Sequence, residues 1–307
     1  MNSRRKFIKK SSLGMLGVSF LPKLSLGKEK NVKITILHTN DMHSHIHPFN
    51  NGRNKGMGGM AQRASIINNI RKQEEHVLLF DAGDIFQGTP YFNFFGGELE
   101  LKLMSEIGYD AATLGNHDFD NGLTGLNNQI HHANFPFLSA NYDFSKTIWK
   151  DKFKAYKIFN KGNIRIGVFG IGIELDGLVP KKLYENTIYQ DPIQKANYYA
   201  KILKNKKKCD LVVCLSHLGF KYKNEKVSDI TLASSTENID LIIGGHTHTF
   251  LKKPVEILNL KKKNVLINQV GWAGINIGKI DFNFKQNKRK KDVKSLAIFV
   301  KNKSIIA

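Results

Sequence analysis

Asp, His and Asn recur along this chain in short polar turns, and these are side chains that hold divalent ions. The turns Asn40-Asp41-Met42-His43, Asp81-Ala82-Gly83-Asp84, Gly115-Asn116-His117-Asp118, Ser216-His217 and Gly244-Gly245-His246-Thr247-His248 offer seven candidate ligands. They are Asp41, His43, Asp84, Asn116, His217, His246 and His248. A mixed carboxylate, amide and imidazole set suits Mn, Zn, Fe or Mg rather than a thiolate-type structural zinc. A lone histidine at a strand end is ordinarily a hydrogen-bonded structural residue. Here that explanation would have to recur in several turns at once. Alternate residues in Asp41-x-His43 and His246-x-His248 point the same way along extended backbone, so each pair is expected to approach an ion jointly. Gly83, Gly115, Gly244 and Gly245 leave room for backbone to close around a dense site.

Each turn follows a short aliphatic or β-branched run. Val32–Thr39, Val77–Phe80, Ala111–Leu114, Leu211–Leu215 and Leu241–Ile243 are read as buried strands, with further strands at Ile164–Ile171, Val265–Ile267, Ile277–Phe284 and Leu296–Val300. Helical patterns over Ala61–Arg71, Glu98–Glu106 and Ile193–Asn205 alternate with them. This order predicts a layered α/β body whose ligand turns gather at the carboxyl ends of its strands.

Taken in order, Asp41-x-His43, Gly83-Asp84, Gly115-Asn116-His117-Asp118, Ser216-His217 and Gly245-His246-x-His248 resemble the motifs of the calcineurin-like metallophosphoesterases. Leu37-His38-Thr39-Asn40-Asp41-Met42-His43, Gly83-Asp84-x-Phe86-Gln87-Gly88-Thr89-Pro90 and Gly115-Asn116-His117-Asp118-Phe119-Asp120 are similar to the bacterial 5′-nucleotidase branch. The resemblance covers residues 32 to about 285. It implies a four-layer αββα sandwich with two divalent metal ions. Asp41, His43, Asp84 and His248 would surround one ion and Asp84, Asn116, His217 and His246 the other, with Asp84 as the bridge. Two such ions about 3.5–4 Å apart lower the pKa of a bound water and neutralise phosphoryl oxygens, so water attacks phosphorus at neutral pH. The resemblance also aims His117 at the phosphate, where its imidazole would stabilise charge or protonate the leaving oxygen. Asp120 then has two readings: it holds the tautomer of that ring, or it caps the turn at Asn121-Gly122.

Other features carry less chemistry. Gly52 to Gly59 lacks the Walker pattern and is read as a flexible entry to the following helix. His131 and His132 are expected at the surface, whereas His45 and His47 lie near the site in sequence. Phe92, Phe94 and Phe95 are expected to pack in the core, with the alternative that one ring reaches a base at the cleft.

With 307 residues, 41% hydrophobic, the chain is long enough for a large core and is not a disordered tail. Two cysteines, Cys209 and Cys214, exclude a disulfide framework. The net charge of +21 raises nucleic acid as a partner. Only seven of the 47 basic residues are arginine, however, and the lysine clusters at 204–208, 261–263 and 288–291 fall between strands, where solvated loops belong. That pattern matches drift under A/T-rich coding, and no nucleic-acid partner is expected.

Residues 1–27 carry basic residues and no acid around a mild apolar stretch too short to span a bilayer. Ser3-Arg4-Arg5-Lys6-Phe7-Ile8-Lys9 resembles a twin-arginine export signal. The expected organisation is a signal peptide at 1–27 and a metallophosphatase domain at 28–307, exported to the periplasm as a folded protein through the twin-arginine translocase. The expected substrate is a small phosphate ester, in first place a nucleotide. A cyclic nucleotide, a sugar nucleotide or a sulfur-oxidation ester is the alternative substrate, and a non-catalytic nucleotide-binding module the alternative function. Full-length 5′-nucleotidases add a second domain that grips the nucleoside. Nothing in this sequence corresponds to it, so a separately encoded nucleoside-binding domain is the expected partner.

Overall fold

A computed structural model describes residues 31–285 and 290–301. The signal expected at 1–27 and two members of the last basic cluster, Lys288 and Arg289, lie outside the described residues.

Two six-stranded sheets form the body. The first runs, from edge to edge, Lys290–Phe299, Asn276–Phe284, Val32–Thr39, Val77–Asp81, Ala111–Thr113 and Phe137–Leu138. The second runs Val255–Leu258, Asn264–Asn268, Leu241–Gly244, Leu211–Ser216, Ile164–Ile171 and Tyr156–Lys161. Each sheet contains four parallel strands, with antiparallel strands added at its margins.

Two-residue alternation along the strands decides which layer each side chain enters. In the first sheet Ile34, Ile36, Leu78 and Phe80 point toward the second sheet, while Leu37, Val77 and Leu79 point to the opposite face. In the second sheet Ile164, Ile166, Val168, Leu211, Val213, Leu215, Leu241 and Ile243 meet the first, and Phe169, Ile171, Val212, Cys214 and Ile242 point away. The outward face of the first sheet is covered by helices Met60–Gln73, Glu98–Ile107 and Gly122–Gln129, through Met60, Ile67, Leu101, Met104, Leu123 and Leu126. Ala196, Ala200, Leu203, Leu232 and Ala233 cover the second sheet from helices Pro192–Lys201 and Asp229–Ser234 and the π-turn Ile202–Lys206. The result is the αββα sandwich, with three apolar layers between its four layers of elements. Strands buried on both faces explain the unbroken apolar runs in the sequence.

Elements without such runs escaped the sequence reading. Tyr156–Lys161 and Val255–Leu258 are edge strands with half-exposed side chains, so they carry no continuous apolar signal. The basic cluster at 204–208 is not wholly loop: Lys204 and Lys206 belong to the π-turn that prolongs helix Pro192–Lys201. Lys290 and Lys291 open the last strand rather than preceding it. The segment before the first helix is tied to the residue just after that strand, with the Gly58 amide donating to the Val300 carbonyl at 2.8 Å. Both cysteines are free and buried. No helix among the described residues is long and apolar enough to cross a membrane.

Candidate active site

The parallel strands of both sheets deliver their carboxyl ends to one edge, and the seven candidate ligands sit in the turns that follow. Asp41, His43 and His248 bring one ligand atom each within 4.8 Å of one another, and Asp84, His217 and His246 do the same. Asp84 links the two groups: its Oδ2 lies 3.0 Å from His217 Nε2 and 3.9 Å from His43 Nε2. Asp41 Oδ1 lies 3.4 Å from His248 Nε2 and 3.9 Å from His217 Nε2. Asn116 Oδ1 touches His246 Nδ1 at 2.8 Å.

The donor set fits divalent cations. His217 is wholly buried, and its Nδ1 donates to the Ala82 carbonyl at 2.7 Å, so Nε2 is left to act as the ligand atom. That Nε2 is buried without a hydrogen-bond partner although two carboxylates surround it. Burial alone would lower the His217 pKa, yet Asp84 and Asp41 push it up to about 10. Burial would likewise raise Asp84, but His217, then His43 and His117, hold its carboxyl well below the usual range. The site therefore draws positive charge into its centre, which bound cations satisfy without protonating an imidazole. Across the other group His43 Nε2 faces His248 Nε2 at 3.0 Å, as two ring nitrogens do when both are aimed at one point.

The backbone differs from the extended path expected from Asp41-x-His43 and His246-x-His248. Asp41, His43, Asp84, His246 and His248 all lie in the left-handed region, with φ between 47° and 71°. Such a conformation costs a non-glycine residue roughly 1–3 kcal/mol, and it persists where the surrounding structure over-determines it. The strand has ended at Thr39, so alternation no longer governs direction. Asp41 and His43 still reach one group, but His246 and His248 part, each joining a different group. Two glycines admit this density. A side chain at Gly115 would occupy the Asp84 carboxylate, and a Cβ at Gly245 would stand 2.8 Å from His217 Nδ1.

His117 stands beside the two groups. Its ring packs edge-on against His43 with centroids 5.2 Å apart, and its amide donates to Asp84 Oδ1 at 2.8 Å. Its Nδ1 meets Asp120 Oδ2 at 2.8 Å, the geometry of the first of the two readings of Asp120. That hydrogen bond, opposed by partial burial, raises the imidazole above its ordinary pKa. His45 stacks on Phe49 at 4.8 Å, and His47 tilts against Tyr91 at 5.6 Å. His131 and His132 pack on each other outside the site. The expected Phe92, Phe94 and Phe95 core cluster divides. Phe92 is buried against Phe86, whereas Phe94 is 82% and Phe95 46% exposed, because helix Pro90–Phe95 turns only one face inward.

Several residues that hold the candidate-ligand turns carry no role from the sequence alone. Asp118 accepts backbone N–H groups from Asp84 at 3.0 Å, Ile85 at 2.9 Å and Gly115 at 2.7 Å, locking two ligand turns together. Burial, then the Asp84 charge, pushes its pKa up to about 7. Asn40 donates from Nδ2 to Asp41 Oδ2 and to the Gly271 carbonyl, each at 2.6 Å. Asp81 accepts from Thr39 Oγ1 at 2.6 Å and the Gly83 amide at 2.9 Å. The available signal was position: each is a carboxylate or amide within two or three residues of a ligand.

Known proteins are similar to this chain in sequence and fold. The family described as calcineurin-like phosphoesterase matches residues 34–250. A snake venom 5′-nucleotidase from Gloydius brevicauda is 38% identical over 231 residues, covering 71% of this chain and 37% of that protein. A 5′-nucleotidase from Vibrio cholerae is 37% identical over 263 residues, covering 81% and 46%. Among solved structures, a 5′-nucleotidase precursor from Thermus thermophilus superposes with a TM-score of 0.79 at 29% identity, covering 87% of this chain and 54% of that one. The chain thus spans less than half the length of these two curated relatives.

Proposed function

The chain belongs to the calcineurin-like phosphoesterase family, and on that premise we propose that it is a dimetal phosphomonoester hydrolase acting on nucleotides. One observation carries the reading: two three-residue ligand groups face each other across Asp84, with His117 at their side. Asp41, His43, Asp84 and His248 would hold one divalent ion and Asp84, Asn116, His217 and His246 the other. When bound, such a pair supplies the Lewis acidity that makes water a nucleophile at neutral pH and offsets charge on the phosphoryl oxygens.

The chain's own residues do the rest. Asp118 and Asn40 hold the ligand turns in the left-handed conformations that aim the carboxylates inward. Asp120 accepts from His117 Nδ1–H, which leaves the Nε2–H of the charged ring free to donate. From there His117 would either donate a hydrogen bond to a phosphoryl oxygen or pass that proton to the departing alkoxide. The phosphate is read by charge, and discrimination among bases falls to other surfaces. Supplying a separate nucleoside-binding domain should therefore lower KM for nucleoside monophosphates far more than for aryl phosphates, since binding energy from base and ribose helps position the phosphate.

Reconstitution with Mn or Zn, followed by steady-state assays on nucleoside monophosphates, cyclic nucleotides and an aryl phosphate, tests the proposal. Metal-dependent turnover of monoesters is expected. Turnover confined to diesters or to a sulfur ester would replace it with the corresponding hydrolase. The proposal includes export through the twin-arginine route. Arg4→Lys with Arg5→Lys keeps the charge but removes the guanidinium pair and should block delivery; unchanged delivery would reject that route.

A further inference from the structure

Ligand histidines ordinarily have their ring planes fixed by a hydrogen bond on the nitrogen that does not bind the ion. His217 follows this rule through Ala82. His246 is held by its backbone amide, which donates to Asp41 Oδ1 and Oδ2 at 2.9 and 3.0 Å, and by the contact of its ring with Asn116. His248 is placed differently. Its side chain is 40% exposed, and it lies flat against the Trp272 indole, with ring centroids 5.7 Å apart and planes 8° from parallel.

Trp272 is well placed to serve as a reference surface. Its own ring is walled edge-on by His45 at 5.3 Å and by Phe49 at 5.7 Å. The backbone on either side is bound to the Asp41 turn. The Ala273 amide donates to the Asp41 carbonyl at 2.7 Å, Asn40 Nδ2 donates to the Gly271 carbonyl at 2.6 Å, and the Val270 amide donates to Asn40 Oδ1 at 3.0 Å. Arg63, wholly buried, reaches from the first helix to the Ala273 carbonyl and to that of His45. Asp41 and the indole thus move as one unit, and a ring lying flat on the indole is aimed relative to Asp41.

We infer that Trp272 is the positioning residue for His248: the indole sets the imidazole plane so that Nε2 converges with Asp41 and His43, a task done elsewhere in the site by hydrogen bonds. The inference rests on the dimetal reading above. It assigns Trp272 to the ion position that His248 serves, since the other two rings meet different groups, His217 the Ala82 carbonyl and His246 the Asn116 amide.

The test is divalent-ion binding by the full chain, followed by titration with Co²⁺ or Mn²⁺ and by bound-metal analysis. Trp272→Ala should weaken one of two ion equivalents by roughly 10- to 100-fold, the range for loss of a group that orients a ligand, and leave the other near the parent value. Trp272→Phe, which keeps a flat face, should restore most of that affinity, whereas Trp272→Leu, which keeps apolar bulk alone, should not. Co²⁺ should also quench indole emission more strongly in the parent than in Trp272→Phe, whose remaining tryptophan, Trp149, packs against Phe119, Phe144 and Phe153 rather than against a candidate ligand. A folded Trp272→Ala chain holding both ions with parent affinity would overturn the inference. So would parent emission untouched at full Co²⁺ occupancy, a measurement that needs no variant. A parent chain that binds no divalent ion would instead strike the dimetal reading itself.

Discussion

The two ligand groups are alike in composition and burial, yet they are restrained by different physics. On the Asp84 side, hydrogen bonds from buried groups hold the candidate ligands: Asp118 gathers the amides, Ala82 fixes His217, and Asn116, itself a candidate ligand, meets His246. On the Asp41 side the carboxylate is equally buried, but the third candidate ligand, His248, is half-exposed and lies against an aromatic face. Hydrogen bonds in a buried network are directional and costly to break. Ring stacking is weaker and tolerates sliding. The Asp84 side should therefore behave as the fixed half of the centre and the Asp41 side as the adjustable half.

Substitutions can break that comparison at points of decreasing leverage. Asp84 lies 3.0 Å from His217 and 3.9 Å from His43 and is proposed to bridge both halves, so Asp84→Ala should abolish turnover and lower ion content on both sides together. Full activity in a metal-free, folded Asp84→Ala chain would remove the basis for two coupled halves. Next comes His117, which touches Asp84 through its amide and His43 through its ring but belongs to neither ligand group. His117→Asn should slow catalysis by roughly 10²–10⁴ while bound metal stays at the parent level. Loss of metal with the rate spared in excess ion would make it a ligand instead.

A smaller effect separates the halves themselves. During graded chelation the Asp41-side ion should leave first, and His248→Ala should cost less affinity than His217→Ala, with a difference of roughly 10-fold or more between the two variants. Equal losses, followed by metal analysis along the chelator titration, would mean that rings and hydrogen bonds restrain the ligands equally well.

A last effect, on stability and not on ion binding, lies beneath the Asp41 turn, in the strand that carries it. His38 is wholly buried, accepts from Asn268 Nδ2 at 3.0 Å, and is pushed down to about 3 by burial. Its folded pKa is below its unfolded value, so the unfolded chain binds more protons between about 6.5 and 3, and stability falls as pH drops through that window. At pH 5 this amounts to about 2 kcal/mol. Thermal melts of His38→Gln should show a flatter decline than the parent between pH 6.5 and 4. Parallel declines in the two chains would show that another group sets the acid response.

Much of this was legible from local sequence. Most strands that end in a candidate ligand announced themselves as a near-continuous apolar run followed by a polar turn, because a strand covered on both faces has few polar positions to interrupt it; Val32–Thr39, with Lys33, Thr35 and His38, is the exception. Edge strands such as Tyr156–Lys161, with one margin in solvent, gave no such signal. The seven candidate ligands and His117 were also readable, since the chemistry of a side chain is local.

Direction and restraint were not local. That His246 and His248 part company depends on left-handed backbone which the Asp41 carboxylate, 205 residues away in the chain, helps to hold through the His246 amide. Asp118 owes its role to amides 32 to 34 residues before it, and Trp272 to a ring 24 residues before it. The amino-acid sequence by itself determined which atoms were available to bind metal and which strands would carry them. Only the tertiary structure decided how those atoms converge. A ligand's aim is set by hydrogen bonds and ring contacts from distant turns, and those contacts exist only once both sheets have brought the turns to one edge.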